Sequence, residues 1–407
     1  MKATGDHQLL KRINKSVLLR LLRVQPGLSR ARLASLSGLT KSTVSALVRE
    51  LLDENWLSEA SAPVAASGMG RPSTPLCINE AARVLIGVEV AVEHLRLVCV
   101  SLTGLVISQA EVPLESLLPD QVCRQTAQMV QKLCEGLDVL GLQLSGVGVC
   151  LPGAISDDSG TVRFAPNLGW RDVQFLAMIS RAFSEAGVPS TSIHLQNDAD
   201  AAALSEYEFA ANDNEGPLIF INCDVGVGAG IVLNDRLFTG AIGMAGEIGH
   251  TIMQVDGLLC SCGRRGCAET FIGSRALRKT AGVDKAGRYL GVLIQNLDVL
   301  FNPRTIVVGG KSCVTHPEMI DIAVSTLAAY AAVAGMPAPV VRHARYGSMA
   351  AAVGAAALVW HRFLRPIPVG NPNPKSKASG QTTRPASAPK RRAHGVAAIG
   401  VKDVSWH

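Results

Sequence analysis

The sequence predicts an α/β protein that carries a small helical domain at its N-terminus. From about Leu76 onward, short apolar runs typical of strands alternate with longer stretches of helical periodicity, which is the pattern of α/β layers. Hydrophobic residues make up 48% of the 407 residues and charged residues only 18%, which fits two or three domains with sizeable cores. Before Leu76, apolar residues recur at helical spacing around a glycine turn and indicate a separate helical unit.

Three helices are predicted in the N-terminal segment. Ser29 can cap a helix over residues 30–36, which Gly38 ends. Thr40 can cap a second helix, whose apolar residues at helical spacing are Val44, Leu47, Val48, Leu51 and Leu52. A preceding amphipathic helix, over about residues 14–23, would complete a small core. Two short helices joined by a glycine turn predict a helix-turn-helix.

The second of these short helices carries the side chains that we assign to DNA recognition. Its early exposed positions hold short or cationic residues, which fit the major groove and reach base edges or phosphates. Residues 67–72 are typical of the glycine-rich end of a wing, from which an arginine can enter the minor groove. The candidate DNA contacts are Arg30, Lys41, Ser42, Thr43, Ser45 and Arg71. The alternative is a helical protein-interaction module.

Basic residues are concentrated at both ends of the chain. The formal net charge is +6, but residues 1–76 and residues 366–407 each carry an excess of six basic residues, so the segment between them is acidic. Basic ends favour nucleic-acid binding, although a charge run is more often only a solvated surface. The tail, residues 366–407, is rich in proline, serine, alanine and lysine and is predicted to be disordered. It either adds non-specific DNA affinity or acts only as a solubilising extension.

We expect a cytoplasmic protein without a membrane segment. No uninterrupted apolar run reaches membrane-spanning length, and polar residues occupy the N-terminus where a signal peptide would be apolar. A reducing compartment favours metal-bound cysteines over disulfides.

Four metal-binding side chains fall within residues 246–269. The spacing is His-x9-Cys-x-Cys-x4-Cys, formed by His250, Cys260, Cys262 and Cys267. One imidazole and three thiolates are the ligand set of a closed, structural Zn2+ site, whereas a catalytic zinc keeps one position open for water. Glycines at 257, 263 and 266 would let the backbone bend enough for the ligands to converge. The alternative is a set of ordinary buried thiols beside an unrelated histidine.

This segment closely resembles the signature of the ROK family of sugar kinases and sugar-responsive repressors. The resemblance rests on Gly-Glu-Ile-Gly-His at 246–250 and Cys-x-Cys-Gly-x-x-Gly-Cys-x-Glu at 260–269, and on Leu-Thr-Lys-Ser-Thr-Val-Ser at 39–45, which is similar to the winged helix of the ROK repressors. It extends over about residues 10–365 and implies a two-lobed, actin-like ATPase fold for the body. It also implies a homodimer or tetramer that binds double-stranded operator DNA.

The resemblance further implies a sugar site. Pro-Asn-Leu-Gly-Trp at 166–170 is similar to the substrate loop of the family, and Gln-Asn-Asp-Ala-Asp at 196–200 to the segment whose Asn and Asp bind sugar hydroxyls. Carboxylates and amides suit vicinal hydroxyls, and a metal fixes the tautomer of its histidine ligand. The implied ligand-binding residues are Asn167, Asn197, Asp198, Glu247, His250 and Glu269. The chain departs from the family at Gln196, usually acidic, and at Asp200, usually an amide, so sugar specificity is expected to differ.

The phosphate loops argue against kinase activity. The second loop, Asp-Val-Gly-Val-Gly-Ala-Gly at 224–230, keeps its glycines, and Gly309-Gly310 match the adenosine-side turn of the family. The first loop has Glu-Val-Ala-Val-Glu at 89–93 where ROK kinases have Asp-x-Gly-Gly-Thr. Glycines let backbone amides approach phosphates, and here both are replaced while a carboxylate is added. We expect a loss of roughly 2–4 kcal/mol in ATP binding.

We therefore predict a DNA-binding transcriptional regulator, a repressor and not an enzyme, controlled by a sugar or sugar derivative. Its domains would be a winged helix-turn-helix over 1–75, a sugar-binding body over 76–365 and a basic tail over 366–407. Two alternatives remain open. One is a sugar kinase with an appended DNA-binding domain and Asp198 as general base, and the other is a regulator controlled by a protein partner that docks on the zinc segment.

Overall fold

A winged helix-turn-helix precedes the body in the computed structural model, which describes residues 6–60, 74–209, 216–279 and 282–366. The domain comprises α1 (Asp6–Val24), α2 (Arg30–Ser37), α3 (Lys41–Asp53) and the antiparallel strands β1 (Leu57–Glu59) and β2 (Leu76–Ile78). The predicted caps are confirmed, since the Ser29 and Thr40 side chains accept hydrogen bonds from backbone N–H groups of α2 and α3. The prediction for α1 was too short, because the helix begins at Asp6 instead of residue 14.

Two of the segments singled out in the sequence lie outside the described residues. The wing segment 67–72, with Arg71, and the basic tail from residue 367 onward lie outside the described residues. Strand β2 follows residue 75, where we placed the domain boundary, yet it pairs with β1 of the winged domain.

The first lobe of the body comprises β3 (Arg83–Val90), β4 (His94–Ser101), β5 (Val106–Pro113), α4 (Pro119–Val139), β6 (Gln143–Leu151), β7 (Ala154–Ile155), β8 (Val162–Ala165), β9 (Trp170–Val173), α5 (Phe175–Glu185) and β10 (Ile193–Asn197). Its main sheet has five strands in the order β10-β6-β3-β4-β5. The apolar runs at 84–90, 95–100, 105–111, 147–151 and 192–195 predict these five strands, and the structure confirms them. The small sheet β7-β8-β9 has no counterpart in the sequence prediction.

The second lobe and its flanking helices comprise α6 (Asp198–Phe209), β11 (Leu218–Cys223), β12 (Val227–Leu233), β13 (Arg236–Leu237), α7 (Glu269–Ile272), α8 (Ser274–Lys279), α9 (Gly282–Phe301), β14 (Thr305–Gly309), α10 (Lys311–Thr315), α11 (Glu318–Ala334) and β15 (Val340–His343). Its sheet has five strands in the order β13-β12-β11-β14-β15. The last helix, α12 (Ala350–Leu364), returns to the first sheet. The periodicity of apolar residues predicts helices near 120–135, 172–186, 198–210, 318–333 and 348–363, which correspond to α4, α5, α6, α11 and α12, but it does not predict α9. Within the described ranges, none of the helices is long and apolar enough to cross a membrane.

Helices α6 and α12 form the layer between the two sheets. A Cβ on Gly148 of β6 would lie 1.7 Å from the carbonyl oxygen of Ala355, so α12 packs directly on the first sheet. A Cβ on Gly230 of β12 would lie 2.3 Å from the carbonyl oxygen of Ala199, so α6 packs directly on the second. Helices α4 and α5 cover the outer face of the first sheet, and α9 and α11 that of the second. The α6–α12 layer therefore connects the lobes.

Candidate functional site

The Gly-Glu-Ile-Gly-His segment lies against β12 at a distance that only glycine permits. A Cβ on Gly246, where φ is +90°, would lie 1.9 Å from the carbonyl oxygen of Ala229, and a Cβ on Gly249 would lie 2.2 Å from that of Val227. The following single turn of 3-10 helix, Ile248–His250, ends with the histidine. The two glycines thus hold His250 beside the strand.

The four predicted metal ligands converge. The ligand atoms of His250, Cys260, Cys262 and Cys267 all lie within 4.8 Å of one another. His250 Nδ1 is 3.7 Å from Cys260 Sγ, and Cys262 Sγ is 3.7 Å from Cys267 Sγ. Tetrahedral bonds of about 2.3 Å to sulfur place the sulfur atoms about 3.8 Å apart. The spacing and the soft donor set therefore fit a tetrahedral metal ion.

His250 connects this metal cluster to the carboxylates of Asp198, Asp224, Glu247 and Glu269, which border the region that we call the cleft. Its Nδ1 faces Cys260, while its Nε2 lies 3.9 Å from Glu247 Oε2. A metal on Nδ1 would leave the proton on Nε2, where it can be donated to Glu247 or to a ligand. Glu269 accepts a hydrogen bond from Ser261 Oγ at 3.2 Å, and its other oxygen lies 3.0 Å from the position of a Cβ on Gly226. The metal loop therefore positions polar side chains at the end of the β11–β12 hairpin.

Asn197 and Asp198 form the start of α6. Asn197 Oδ1 accepts hydrogen bonds from the backbone N–H groups of Ala199 at 2.8 Å and Asp200 at 3.2 Å, and its Nδ2 donates to the carbonyl oxygen of Gly153 at 3.1 Å. The amide is thus largely used as a helix cap, and one N–H remains for a ligand hydroxyl. Asp198 also accepts a hydrogen bond from Ala199 N, at 2.9 Å.

Carboxylates crowd this part of the cleft. Burial raises the pKa of Asp198 to about 6, and Asp224 and Glu247 add to the rise. Burial also raises the pKa of Glu247, with a contribution from Glu269. Carboxylates that repel one another can accept hydrogen bonds from a neutral polyol but disfavour an additional anion. The electrostatics therefore suit a sugar better than a phosphate.

Asn167 is exposed in the turn between β8 and β9. The hairpin lies beside the start of α6, since a Cβ on Gly153 would lie 2.5 Å from the carbonyl oxygen of Phe164 and Gly153 itself accepts the Asn197 amide. The structure thus groups five of the predicted ligand residues around α6 and the metal loop. It places Asn167 at the exposed end of the adjacent hairpin.

Ion pairs surround Glu89, which stands at the acidic position that opens the first phosphate loop. Arg96 Nη1 donates to Glu89 Oε2 at 2.7 Å and to the carbonyl oxygen of Ser348, while its Nε donates to Glu111 Oε2 at 2.9 Å. Burial raises the pKa of Glu89 to about 7. The positive charge of Arg96 lowers this pKa, and the negative charge of Asp198 raises it. Sequence reasoning missed Arg96, although Glu89 and Arg96 are directly opposite on antiparallel β3 and β4. Opposite charges at facing positions of two antiparallel strands stabilise a sheet, and this rule could have identified Arg96 from the sequence.

The glycines of the second phosphate loop have packing roles. The position of a Cβ on Gly226 faces the Glu269 carboxylate, and that on Gly230 collides with the backbone of α6. Gly230 would therefore be required whether or not a nucleotide binds, whereas the Glu269 side chain could move away from a Cβ at Gly226.

Helix α3 presents a polar face with a defined start. Lys41, Ser42 and Ser45 are exposed and Thr43 is half-buried. The Ser42 and Thr43 hydroxyls lie 2.9 and 2.8 Å from Thr40 Oγ1, so both belong to the helix cap. These residues stand at the N-terminus of the second helix of the motif, which is the part that reaches base edges in helix-turn-helix proteins.

Two arginines modify the predicted set of DNA contacts. Arg30 Nη2 lies 2.9 Å from Glu59 Oε1 of β1, so this side chain is held by an ion pair within the domain. Arg49 is exposed on α3, one turn after Ser45, and sequence reasoning overlooked it. Because residues four apart lie on the same face of a helix, the spacing between Ser45 and Arg49 could have identified it from the sequence.

The fold and the cleft define a two-lobed protein of the actin-like sugar-kinase class that carries a winged helix-turn-helix. The ROK family model matches residues 85–285 and 280–362, and the winged helix-turn-helix DNA-binding model matches residues 12–58. The chain belongs to the ROK family.

Similar proteins include both repressors and kinases. The chain is 29% identical over 342 residues to the xylose repressor of Bacillus spizizenii, a match that covers 78% of this chain and 87% of the relative. It is 33% identical over 196 residues to a glucokinase of Streptomyces coelicolor, covering 48% of this chain and 58% of that protein. A crystal structure of a ROK family transcriptional regulator, a homologue of the Escherichia coli MLC protein, superposes with a TM-score of 0.71 at 22% identity. That superposition covers 88% of this chain and 97% of the regulator and shows a common fold.

Proposed function

We propose that this protein is a transcriptional repressor whose operator affinity is controlled by a sugar bound in the cleft. One observation carries the proposal: the same chain combines a DNA-binding element with a sugar site. The polar face of α3 is exposed and can contact DNA, and the cleft holds carboxylate, amide and imidazole groups that can bind the hydroxyls of a sugar. The similarity to the xylose repressor of Bacillus spizizenii supports it. Binding of chromosomal operator DNA would place the protein in the cytoplasm, and two-fold operators would require at least a homodimer.

The sugar would favour one arrangement of the two lobes and thereby change the separation of the paired winged helices. The ligand would be held by Asn197, Asp198, Glu247, His250 and Glu269, with Asn167 approaching from the exposed hairpin. A hundredfold change in operator affinity needs a coupling free energy of about 2.7 kcal/mol. The metal ion would be a structural Zn2+ on His250, Cys260, Cys262 and Cys267, which orders the loop that carries Glu269.

The alternative function is an ATP-dependent sugar kinase, which the retention of Asp198 and the similarity to a glucokinase favour. The first phosphate loop argues against it, because Ala91 and Val92 stand in place of the two glycines whose backbone would bind phosphate and Glu93 adds a carboxylate. A regulator controlled by a protein partner is a third candidate. It is favoured by Val255 and Leu259, which are 81% and 64% exposed beside the metal loop.

The deciding measurement is isothermal titration of the zinc-loaded protein with D-xylose, D-glucose and other aldoses, each with and without Mg-ATP. We expect heat from one sugar and none from ATP. The sugar that binds should then change the mobility shift of an operator selected from a randomised DNA library. ATP binding with formation of a sugar phosphate would establish the kinase function instead, and binding of neither ligand class would remove the sugar-sensor proposal.

Lys41→Ala and Arg49→Ala are each expected to weaken operator binding, because both exposed cations lie on the polar face of α3. If each contacts a phosphate, the slope of log affinity against log salt should fall by about 1. Fluorescence anisotropy with labelled operator over a salt series measures this slope. Lys132→Ala, on the exposed side of α4 in the body, is the matched control and should leave the slope unchanged. An unchanged slope for both α3 variants would place the DNA interface elsewhere.

A further inference from the structure

The winged domain is attached to the first lobe by aromatic stacking. The Trp56 ring, which follows α3, stacks on Phe363 of α12 with a centroid distance of 4.2 Å and on Trp360 at 5.8 Å. The guanidinium of Arg83, at the start of β3, also contacts the Trp56 ring and lies 4.1 Å from its centre. Stacking and apolar burial change gradually with displacement, so this attachment tolerates small shifts.

The same domain is attached to the second lobe by ion pairs. Arg23 Nη1 donates to the carbonyl oxygens of Tyr207 at 3.0 Å and Glu208 at 3.1 Å, in the last turn of α6, and pairs with Glu208 Oε2 at 3.0 Å. Arg20 pairs with Asp235, in the turn between β12 and β13. Charge-assisted hydrogen bonds have defined directions and lengths. This attachment is therefore sensitive to position.

Glu208 is the point at which the winged domain and both lobes meet. Its side chain is fully buried and also pairs with His361 Nδ1 of α12 and with Nη1 of Arg365, the residue after α12, each at 2.7 Å. Although burial favours the protonated form, Arg23, His361 and Arg365 hold the pKa of Glu208 well below its ordinary value. The carboxylate is thus charged and is held both by a cation of the winged domain and by cations at the C-terminal end of α12.

Helix α6 leads from the cleft to this junction. Its first turn contains Asp198 and is capped by Asn197, and its last turn contains Tyr207 and Glu208. From Ala199 to Phe209 every residue is buried. Close backbone contacts with β12 and α12 leave the helix no room to bend. A displacement of its first turn therefore moves its last turn as well.

We propose that Arg20 and Arg23, with Asp235 and Glu208, form an interlobe latch through which the winged domain responds to the arrangement of the lobes. The inference rests on the proposed sugar-sensor function. The aromatic stack keeps the domain on the first lobe, and the latch adds a second attachment that holds only when the second lobe is correctly placed. When the lobes move, the ion pairs break or re-form, and the orientation of the winged domain changes.

The latch is tested first without any ligand, on the full chain. The double variant Arg20→Met/Arg23→Met keeps long apolar side chains but removes both guanidinium groups. Spin labels on genetically encoded p-acetylphenylalanine leave the native cysteines unmodified. One label stands at Ser35 of α2 and the second at Val299 of the second lobe or Lys132 of the first, all of which are exposed. Pulsed electron–electron double resonance then gives the two distance distributions.

We expect the Ser35–Val299 distribution to broaden in the double variant while the Ser35–Lys132 distribution stays as narrow as in the native chain. Arg288→Met, which breaks an exposed ion pair with Asp284 on α9, is the matched control and should change neither. Unchanged distributions, or equal broadening of both, would overturn the latch.

The second arm measures coupling in unlabelled protein, with D-xylose as the first probe and the aldose panel after it. The double variant should still bind sugar and operator, but the ratio of operator affinities with and without sugar should move at least tenfold closer to 1. If the native chain shows coupling and the variant retains it, the latch is overturned. If the native chain shows no coupling, the proposed function fails, and the distance measurements decide the latch separately.

Discussion

Cys260→Ser is expected to destroy the proposed metal site and to weaken sugar binding strongly. The thiol of Cys260 lies 3.7 Å from His250 Nδ1 and 3.8 Å from Glu269 Oε1, so the ligand orients residues of the metal cluster and of the sugar site together. Structural zinc contributes on the order of 10 kcal/mol to the folding of small metal-dependent units. We expect metal content to fall from one zinc per chain to none, and sugar affinity to fall at least a hundredfold.

Metal analysis by mass spectrometry, sugar titration and limited proteolysis of residues 251–267 measure these losses. Cys77→Ser is the matched control, because this partly exposed thiol is outside the metal cluster and its replacement should preserve both zinc and sugar binding. Operator binding in the absence of sugar should persist in both variants, since Cys260 lies outside the winged domain and Cys77 is only partly buried within it. A Cys260→Ser protein with full zinc content and sugar affinity would disprove the metal assignment.

Gly354→Ala is expected to destabilise the body by about 3 kcal/mol or more, at the upper end of the range for overpacked cores. A Cβ at this position of α12 would lie 1.7 Å from the carbonyl oxygen of Ala201 and 2.8 Å from the backbone nitrogen of Ala202 in α6. Backbone atoms cannot rotate away as a flexible side chain can. The two helices would have to separate, and the contact between the lobes would be lost.

Gly136→Ala provides a control of opposite sign. Gly136 is also in a helix, α4, but a Cβ there meets no atom within 4 Å. Alanine should therefore stabilise the protein by up to about 1 kcal/mol through helix propensity. Urea unfolding followed by tryptophan fluorescence compares the variants. Equal effects of the two substitutions would contradict the close packing of α6 and α12.

Local patterns explain most of the successful predictions. Ser29, Thr40 and Gly38 act as the caps and the helix terminator that their residue types indicate, because capping depends on atoms within three or four residues. The metal ligands also lie close in sequence and are brought together by short turns. Strands β3, β4, β6 and β11 consist mostly of apolar residues, because helices or other elements cover both faces of each sheet.

Helix α9 was missed for a tertiary reason. It begins with glycine and contains Gly287 and Gly291, which lower the intrinsic helix propensity. Cβ atoms at these positions would lie 2.7 Å from Ile322 Cβ and 2.6 Å from Thr326 Cβ on α11. The glycines serve the close packing of α9 on α11, and that packing stabilises a helix that the local sequence does not favour.

The sequence by itself determined the domain order, the positions of the metal ligands and the loss of the first phosphate-loop glycines, because each depends on residue types at fixed local spacing. Only the tertiary structure decided what becomes of the acidic residues in α6. Glu206 and Glu208 are fully buried, and their partners include Arg342, Arg23, His361 and Arg365. Glu206 and Arg342 are 136 residues apart in sequence. A buried side chain stays charged only if oppositely charged groups from other parts of the fold pair with it. The periodicity within a single helix cannot specify those groups.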